Sequence, residues 1–149
     1  MKIQSSFLFL ALMSTIELCQ SVDFDRFEKF KIQHIVDKND MNDMNQGCDH
    51  IIQKRNILDS DSKCKAKNTF ILSPIKDVIS VCKGKKDING LIRSVSDFAT
   101  VLCKLIGKKD AELCEYNSVK KNKKIRIACE NGKPVHLEGP DNHSNNQVN

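Results

Sequence analysis

The chain has 149 residues, a formal net charge of +5, seven cysteines, no tryptophan and one tyrosine. Its longest apolar run is far shorter than the roughly 20 residues that a membrane helix needs, which excludes stable insertion into a membrane. The length suits one domain with a modest core.

The N-terminus has the pattern of a secretory signal peptide. Lys2 precedes an apolar run from Phe7 to Met13, and a more polar stretch then ends at Ser21. Segments of this kind are removed during export. We therefore predict a signal peptide at residues 1–21, a domain at residues 22–140 and a secreted, extracellular protein.

Six cysteines remain after this cleavage, because Cys19 leaves with the signal. An even number suits disulfide bonds in an oxidising compartment. A zinc site normally places its ligands in close pairs such as C-x2-C, whereas the two nearest cysteines, Cys103 and Cys114, are eleven residues apart. The spacing favours disulfides, but six cysteines alone permit fifteen pairings.

Three helices are predicted in the first half of the mature chain. The segment from Asp23 to Ile35 has aromatic residues at helical spacing. A second helix is expected from Asn42 to Ile57, where apolar residues recur at steps of three and four. Ser73-Pro74 opens a third helix that ends near Cys82, because proline suits the first helical turn.

After Gly90 the sequence changes to short alternating or apolar runs, which predict antiparallel strands. These runs are "FATVLCKLI", "CEYNSV", "KIRIACE" and "KPVHLE", separated by the turn-prone "GKKD", "KKNK" and "ENGK". Early helices and late strands predict an α+β fold. The polar tail, residues 141–149, is expected to be disordered and contains a glycosylation sequon at Asn142.

Two basic runs, Lys83 to Lys86 and Lys120 to Arg126, leave two interpretations open. They suit the binding of a polyanion such as nucleic acid, a glycosaminoglycan or an anionic cell surface. They also suit a solvated surface that keeps the protein soluble. Charge alone does not choose between these interpretations.

The sequence offers the base, the acid and the cation that cleavage of a phosphodiester needs. The histidines are His34, His50, His136 and His143. His143 lies in the tail, and His50 is expected to have an ordinary structural role in the second helix. His34 and His136, with Lys65, form the candidate set, although a lone histidine in either place is usually structural.

Three segments, in chain order, resemble the pancreatic-type secretory ribonuclease superfamily, and most of all its three-disulfide, angiogenin-like and other non-mammalian members. They are "FKIQHI", "CKAKNTFI" and "CENGKPVHL". The C-K-x-x-N-T-F pattern is highly specific, and the resemblance extends from about Phe24 to Glu138.

This resemblance implies a single α+β ribonuclease-like domain with three helices, a twisted antiparallel sheet and three disulfides. Its usual pairing would join Cys48 to Cys103, Cys64 to Cys114, and Cys82 to Cys129. It further implies an RNA substrate, no cofactor, no metal and a monomer.

The resemblance also implies a mechanism, in which RNA is cleaved on the 3′ side of pyrimidines through a 2′,3′-cyclic phosphate. His34 would be the general base and His136 the general acid, while Lys65 would stabilise charge on the phosphorus. The substrate-binding residues would be Gln33 and Lys65 at the phosphate, Thr69 at the base, Asn68 supporting the local backbone, and Leu137. Phe30 and Phe70 are expected in the core.

The residues that follow His136 depart from the family pattern. Leu137 stands where many strongly active members have phenylalanine, which puts high turnover in doubt. Gly139 stands where angiogenins can place a glutamine that blocks the pyrimidine pocket, so we expect a less obstructed pocket. Glu138 is expected to orient His136.

The sequence thus predicts a secreted, metal-independent endoribonuclease. The alternative is a cationic, angiogenin-like or antimicrobial host-defence protein in which ribonuclease activity is weak or incidental. In that alternative, Lys54-Arg55 would be a short counterpart of a nuclear-targeting basic cluster.

Overall fold

A computed structural model describes residues 25–110 and 113–139 of the chain. The predicted signal peptide and the predicted tail with Asn142 lie outside these ranges. The described residues form a mixed fold of helices and largely antiparallel sheets, which confirms the predicted α+β class.

The described residues contain helices at the three predicted places. They are α1 (residues 25–34), α2 (Met41–Asn45), α3 (Cys48–Lys54) and α4 (Ile75–Val81). The prediction of one helix from Asn42 to Ile57 is wrong, because Gly47 between α2 and α3 has a φ of 106°. Only glycine adopts this region readily, so the helical path breaks there. Asn56, with a φ of 53°, follows the end of α3.

Two sheets pack against these helices. Their strands are β1 (Ile35–Val36), β2 (Lys67–Leu72), β3 (Ile92–Arg93), β4 (Phe98–Asp110), β5 (Leu113–Lys123), β6 (Arg126–Glu130) and β7 (Lys133–Leu137). One sheet has the order β1-β2-β4-β5 and the other has the order β3-β6-β7. Only the pair of β1 and β2 is parallel among the strand pairs of the described residues.

Two of the three predicted turns are parts of strands. "GKKD" and "KKNK" lie within β4 and β5, which run to Asp110 and Lys123. Register shifts after Leu105 and Lys108 let the ladder continue, because a bulge accommodates an extra residue without ending the pairing. The turn in "ENGK" is confirmed, with positive φ at both Asn131 and Gly132, as a type I′ hairpin turn requires.

The core consists of two apolar clusters that share strand β2. Phe70 belongs to the cluster beneath α2 and α3, and Ile71 belongs to the cluster with Phe30 and Leu137. Adjacent residues of a strand point to opposite faces, so one strand serves both clusters. Phe30 and Phe70 are buried core residues, as predicted.

Three disulfides join these elements. They are Cys48–Cys103, Cys64–Cys114 and Cys82–Cys129, the pairing that the resemblance implies. Their sequence separations are 55, 50 and 47 residues. In the chain-entropy description, closing a loop of this length stabilises the folded state by about 4 kcal/mol.

Candidate active site

His34 lies at the C-terminal end of α1, where contacts with β2 fix its ring. Its Nδ1 is 2.8 Å from the carbonyl oxygen of Thr69, and its ring centroid is 5.2 Å from that of Phe30. A carbonyl oxygen only accepts hydrogen bonds, so Nδ1 carries the proton. In the neutral ring Nε2 therefore has a free lone pair and is the atom that can accept a proton.

The environment of His34 favours this neutral form. Its side chain is 9% exposed, and burial lowers its pKa from the usual 6.5 to about 4. The hydrogen bond with Thr69 acts in the opposite direction, while the charges of Lys65 and His136 lower the pKa further. His34 therefore lies within electrostatic range of both Lys65 and His136.

Lys65 is held just before β2 by contacts at both its ends. Its Nζ donates to Asn68 Oδ1 at 2.9 Å, and its carbonyl oxygen accepts from the Tyr116 hydroxyl at 2.7 Å. The pKa of Lys65 is lowered mainly by partial burial and, to a smaller extent, by the positive charge of Lys29. No carboxylate pairs with Lys65 within residues 25–110 and 113–139, so its remaining N–H groups are available to an anion.

Asn68 organises the site from inside the protein. The residue is 2% exposed, and its Nδ2 donates to the carbonyl oxygen of Gln33 at 2.8 Å while its Oδ1 accepts from Lys65. Contact of Asn68 with the substrate stays a prediction, and its support of the local backbone has these two hydrogen bonds behind it. Both of its polar atoms are used within the protein, where they tie Gln33 of α1 to Lys65.

His136 is the exposed member of the set, with 57% of its side chain accessible. It lies on β7 opposite Ala128, next to a register shift in the pairing of β6 with β7. Its Nε2 is 3.3 Å from Glu138 Oε2, the contact that the sequence predicts for Glu138. Because a carboxylate accepts, Nε2 carries the proton in this contact, and Nδ1 is the atom left for exchange with a ligand.

Thr69 lies at the wall of a cleft of about 260 Å³. Leu137, Glu138 and Gly139 contribute to the same cleft. Adding a Cβ to Gly139 would meet nothing within 4 Å, which agrees with the expected open pocket. Thr69 and Leu137 therefore line one cleft, and Leu137 is adjacent in sequence to His136. Their contact with a substrate stays a prediction.

Residues 25–138 match the sequence model of the family described as pancreatic ribonuclease. The chain belongs to the pancreatic ribonuclease family. The ribonuclease pancreatic of Iguana iguana is 38% identical over 96 residues, which are 63% of this chain and 79% of that protein. The angiogenin of Saguinus oedipus is 33% identical over 116 residues, which are 76% and 77% of the two chains.

A solved structure supports the assignment to the pancreatic ribonuclease family. The X-ray structure of zebrafish RNase5 has a TM-score of 0.70 with this chain at 29% identity. The similarity covers 80% of this chain and 98% of the zebrafish chain. The family resemblance that the three sequence segments carry is thus confirmed.

Sequence reasoning missed that Arg55 holds the C-terminal end of α1. Its Nη1 donates to the carbonyl oxygens of Ile32 at 2.9 Å and Ile35 at 2.7 Å, and its Nη2 is 3.3 Å from Asp40 Oδ2. The last carbonyl groups of a helix have no partner within it. Arg55 therefore caps the end of α1 beside His34 and is not the exposed basic residue that Lys54-Arg55 suggests.

Tyr116 is a second residue that the sequence did not single out. Its backbone N–H donates to Asp49 Oδ1 at 2.7 Å, and its hydroxyl holds the carbonyl of Lys65. Its one available signal was its position two residues after Cys114, the disulfide partner of Cys64. That bridge brings Tyr116 to the segment that carries Lys65.

The described helices are short, and none of them has the length and apolar character needed to cross a bilayer. In the part of the chain that the structure describes, no three His, Cys, Asp or Glu side chains gather where they could hold a metal ion.

Proposed function

We propose that this member of the pancreatic ribonuclease family is a secreted, monomeric endoribonuclease that cleaves RNA on the 3′ side of pyrimidines. The observation that carries the proposal is the pair of histidines in different environments. His34 is buried, with a lowered pKa and its proton held on Nδ1, whereas His136 is exposed beside a carboxylate. A base and an acid within electrostatic range suit a reaction that removes one proton and supplies another.

In the first step, Nε2 of His34 accepts the proton of the ribose 2′-hydroxyl, and the 2′-oxygen attacks the adjacent phosphorus. The bond from phosphorus to the 5′-oxygen breaks, and that oxygen takes a proton from His136. The product is a 2′,3′-cyclic phosphate. Water then opens the ring with the roles of the histidines reversed. DNA lacks the 2′-hydroxyl, so the chemistry selects RNA.

Lys65 is proposed to stabilise the negative charge that gathers on the nonbridging oxygens. Asn68 and Tyr116 hold it before the substrate arrives, so little reorganisation is needed. By analogy with oxyanion stabilisation, such a donor contributes on the order of 10²–10³ in rate. Gln33 is proposed to position the phosphate. Every step is assigned to a side chain, so the reaction proposed here uses no metal or cofactor.

The pyrimidine preference is proposed to come from Thr69. Its hydroxyl can donate or accept, and it faces a cleft of about 260 Å³ rather than a filled core. A hydroxyl that turns either way suits both uracil and cytosine.

The test is cleavage of the dinucleotide UpA by the refolded mature chain from Val22. His34→Ala and His136→Ala should each lower kcat by roughly 10²–10⁴, and the wild type should release the 2′,3′-cyclic phosphate. His50→Ala is the control, because His50 contacts Asp43 on α2 and lies outside the site. Absence of cyclic phosphate, or equal rates in all three variants, would overturn the proposal.

The second candidate is a cationic angiogenin-like or host-defence protein in which RNA cleavage is incidental. It is favoured by the 33% identity with an angiogenin and by the basic run from Lys120 to Arg126. Killing of bacteria by the wild type and by His136→Ala separates the two. Equal killing would assign that activity to charge, and a parallel loss would tie it to catalysis.

A further inference from the structure

The cleft beside Thr69 has a cationic wall that the proposed cleavage chemistry does not use. The cations are Arg93, Lys121, Lys123 and Lys124. They come from β3, from β5 and from the short connection before β6. Neither His34 nor Lys65 lines this cleft, so the cations are separate from the group that acts on the scissile phosphate.

The strand register explains why only part of the basic run faces the cleft. Lys121 is paired with Thr100, and Thr100 is paired with Ile71, two residues after Thr69. Directly paired residues, and residues two apart on a strand, share one face of a sheet. Lys121 therefore shares the face of Thr69. Lys120 is paired with Val101 and lies on the opposite face.

These cations have no acidic partner in the part of the chain that the structure describes. Among residues 25–110 and 113–139, no ion pair joins Arg93, Lys121, Lys123 or Lys124 to an acidic side chain. Glu138, the acidic residue of the cleft, is engaged with His136. Arg126, which also lines the cleft, is paired with Asp87 and is left out of the set.

The cleft carries an excess of positive charge in the free protein. Arg93 is paired directly with Arg126 across β3 and β6, and Asp87 offsets the charge of Arg126 but not that of Arg93. An anion in the cleft would offset the charges of the other four cations. The ligand should therefore carry negative charge and also present a group to Thr69.

We propose that Arg93, Lys121, Lys123 and Lys124 form a phosphate-binding rim, which holds further phosphates of the RNA strand whose pyrimidine lies against Thr69. This inference rests on the proposed function and makes its substrate a strand of several nucleotides rather than a dinucleotide. RNA fits better than a sulfated polysaccharide because only a nucleotide joins anionic groups to a flat base with hydrogen-bonding edges.

The rim makes a quantitative prediction about salt. For single-stranded nucleic acid, the slope of log K against log salt is about −0.7 for each phosphate neutralised. Removing three contributing lysines should therefore make the slope of log K against log salt less negative by about 2. At 0.1 M salt the same loss should weaken binding roughly 10- to 100-fold.

The experiment measures binding of the octanucleotide dU8 to the mature chain at several salt concentrations. This strand lacks the 2′-hydroxyl and stays intact, so binding is read without cleavage. The rim variant is Lys121→Gln/Lys123→Gln/Lys124→Gln. The charge-matched control is Lys38→Gln/Lys63→Gln/Lys76→Gln, whose exposed lysines lie outside the cleft. The single variants Lys120→Gln and Lys121→Gln are also compared, because these two residues lie on opposite faces of β5.

The rim variant should lose the affinity and salt slope stated above, while the control variant stays within about threefold of the wild type. Lys121→Gln should weaken binding more than Lys120→Gln. Equal behaviour of the rim and control variants would overturn the rim. A loss of heparin binding with unchanged dU8 binding would also overturn it, in favour of a polysaccharide surface.

Cleavage separates this inference from the proposed function. The ratio of kcat/KM for a uridine-containing RNA octamer to that for UpA should fall at least tenfold in the rim variant and not in the control. A wild type that cleaves neither substrate would defeat the proposed function. The dU8 binding assay would still test whether the rim binds phosphates. Cleavage of UpA with an unchanged ratio would defeat the rim alone.

Discussion

At the scale of single residues, His34 is governed by two opposing effects. Burial disfavours the charged ring and lowers its pKa to about 4, although the Thr69 carbonyl favours the protonated form. Burial dominates because the residue is 9% exposed. A neutral ring suits a base, because its Nε2 can accept a proton.

The lowered pKa of His34 predicts a specific dependence of stability on pH. Between pH 6.5 and about 4 the unfolded chain binds a proton at this residue that the native state does not. The free energy of unfolding should therefore fall as the pH is lowered through this window. A difference of about 2.5 pKa units corresponds to on the order of 3 kcal/mol.

Chemical denaturation from pH 7 to pH 4 measures this effect in the wild type and in His34→Gln. The variant should show a flatter pH dependence by about that amount. Ile35→Val, a change at a neighbouring buried residue, should lower stability by roughly 0.5–1.5 kcal/mol equally at every pH. Identical pH dependence in the wild type and His34→Gln would contradict the account of this residue.

The sequence singles out His34, Lys65, Thr69 and His136 as candidates because short segments carry them in a recognisable order, and their roles stay predictions. It could not predict Arg55 or Tyr116 as supporting residues. Arg55 reaches carbonyl groups 20 and 23 residues away, and the Tyr116 hydroxyl reaches across 51 residues. Such contacts depend on the packing of elements, which no local pattern encodes.

At the scale of elements, the position of His34 depends on the end of α1. The helix ends directly before β1, and two sets of contacts hold this junction from outside. Arg55 binds the carbonyl groups of Ile32 and Ile35, and Asn68 binds that of Gln33. The junction is therefore fixed from α3 on one side and from β2 on the other.

Replacement of Arg55 should lower kcat more than it changes KM. The residue touches no reacting group, so we regard it as a positioning residue whose loss lets the end of α1 move. Its side chain is 17% exposed, and hydrogen bonds from a charged group contribute about 1.5–3 kcal/mol. Arg55→Ala should cost about that much stability and reduce kcat for UpA roughly tenfold.

Arg55→Lys tests whether geometry matters beyond charge, because one ammonium group cannot reproduce the fork of a guanidinium. It should recover only part of kcat. Lys54→Ala is the control, since Lys54 is adjacent and exposed and pairs with Asp43. A similar kcat in Arg55→Ala and Lys54→Ala would contradict the positioning role.

The elements also show where local patterns lose their predictive value. Apolar spacing correctly indicates helix on both sides of Gly47, but it does not report the positive φ that divides the segment. The lysine-rich "GKKD" and "KKNK" look like turns by composition. They remain in β4 and β5 because residues of both segments are paired with the neighbouring strand, and the ladder continues past its two register shifts.

At the scale of the whole molecule, three disulfides bring distant segments into one site. Cys64–Cys114 lies beside Lys65 on one side and near Tyr116 on the other. Cys48–Cys103 joins α3 to β4, and neither cysteine is adjacent in sequence to His34, Lys65 or His136. Their loops differ by five residues, from 50 to 55, so the chain-entropy description gives them nearly equal stabilisation.

Removal of either bridge should therefore cost a similar amount of stability, whereas the effects on activity should differ. Cys64→Ala/Cys114→Ala and Cys48→Ala/Cys103→Ala should each lower the free energy of unfolding by about 2–5 kcal/mol. Below the unfolding temperature of both variants, only the first should show a large fall in kcat for UpA, because it releases the segment of Lys65. Equal kcat in the two folded variants would contradict the anchoring of Lys65 by this bridge.

The division of labour between His34 and His136 is the central claim, and substitution of the leaving group tests it most directly. A UpA analogue with sulfur in place of the bridging 5′-oxygen has a leaving group that needs no proton. His136→Ala should cleave this analogue at nearly the wild-type rate, while His34→Ala stays slow on both substrates. Slow cleavage of the analogue by His136→Ala, or rescue of His34→Ala, would contradict the assignment of acid and base.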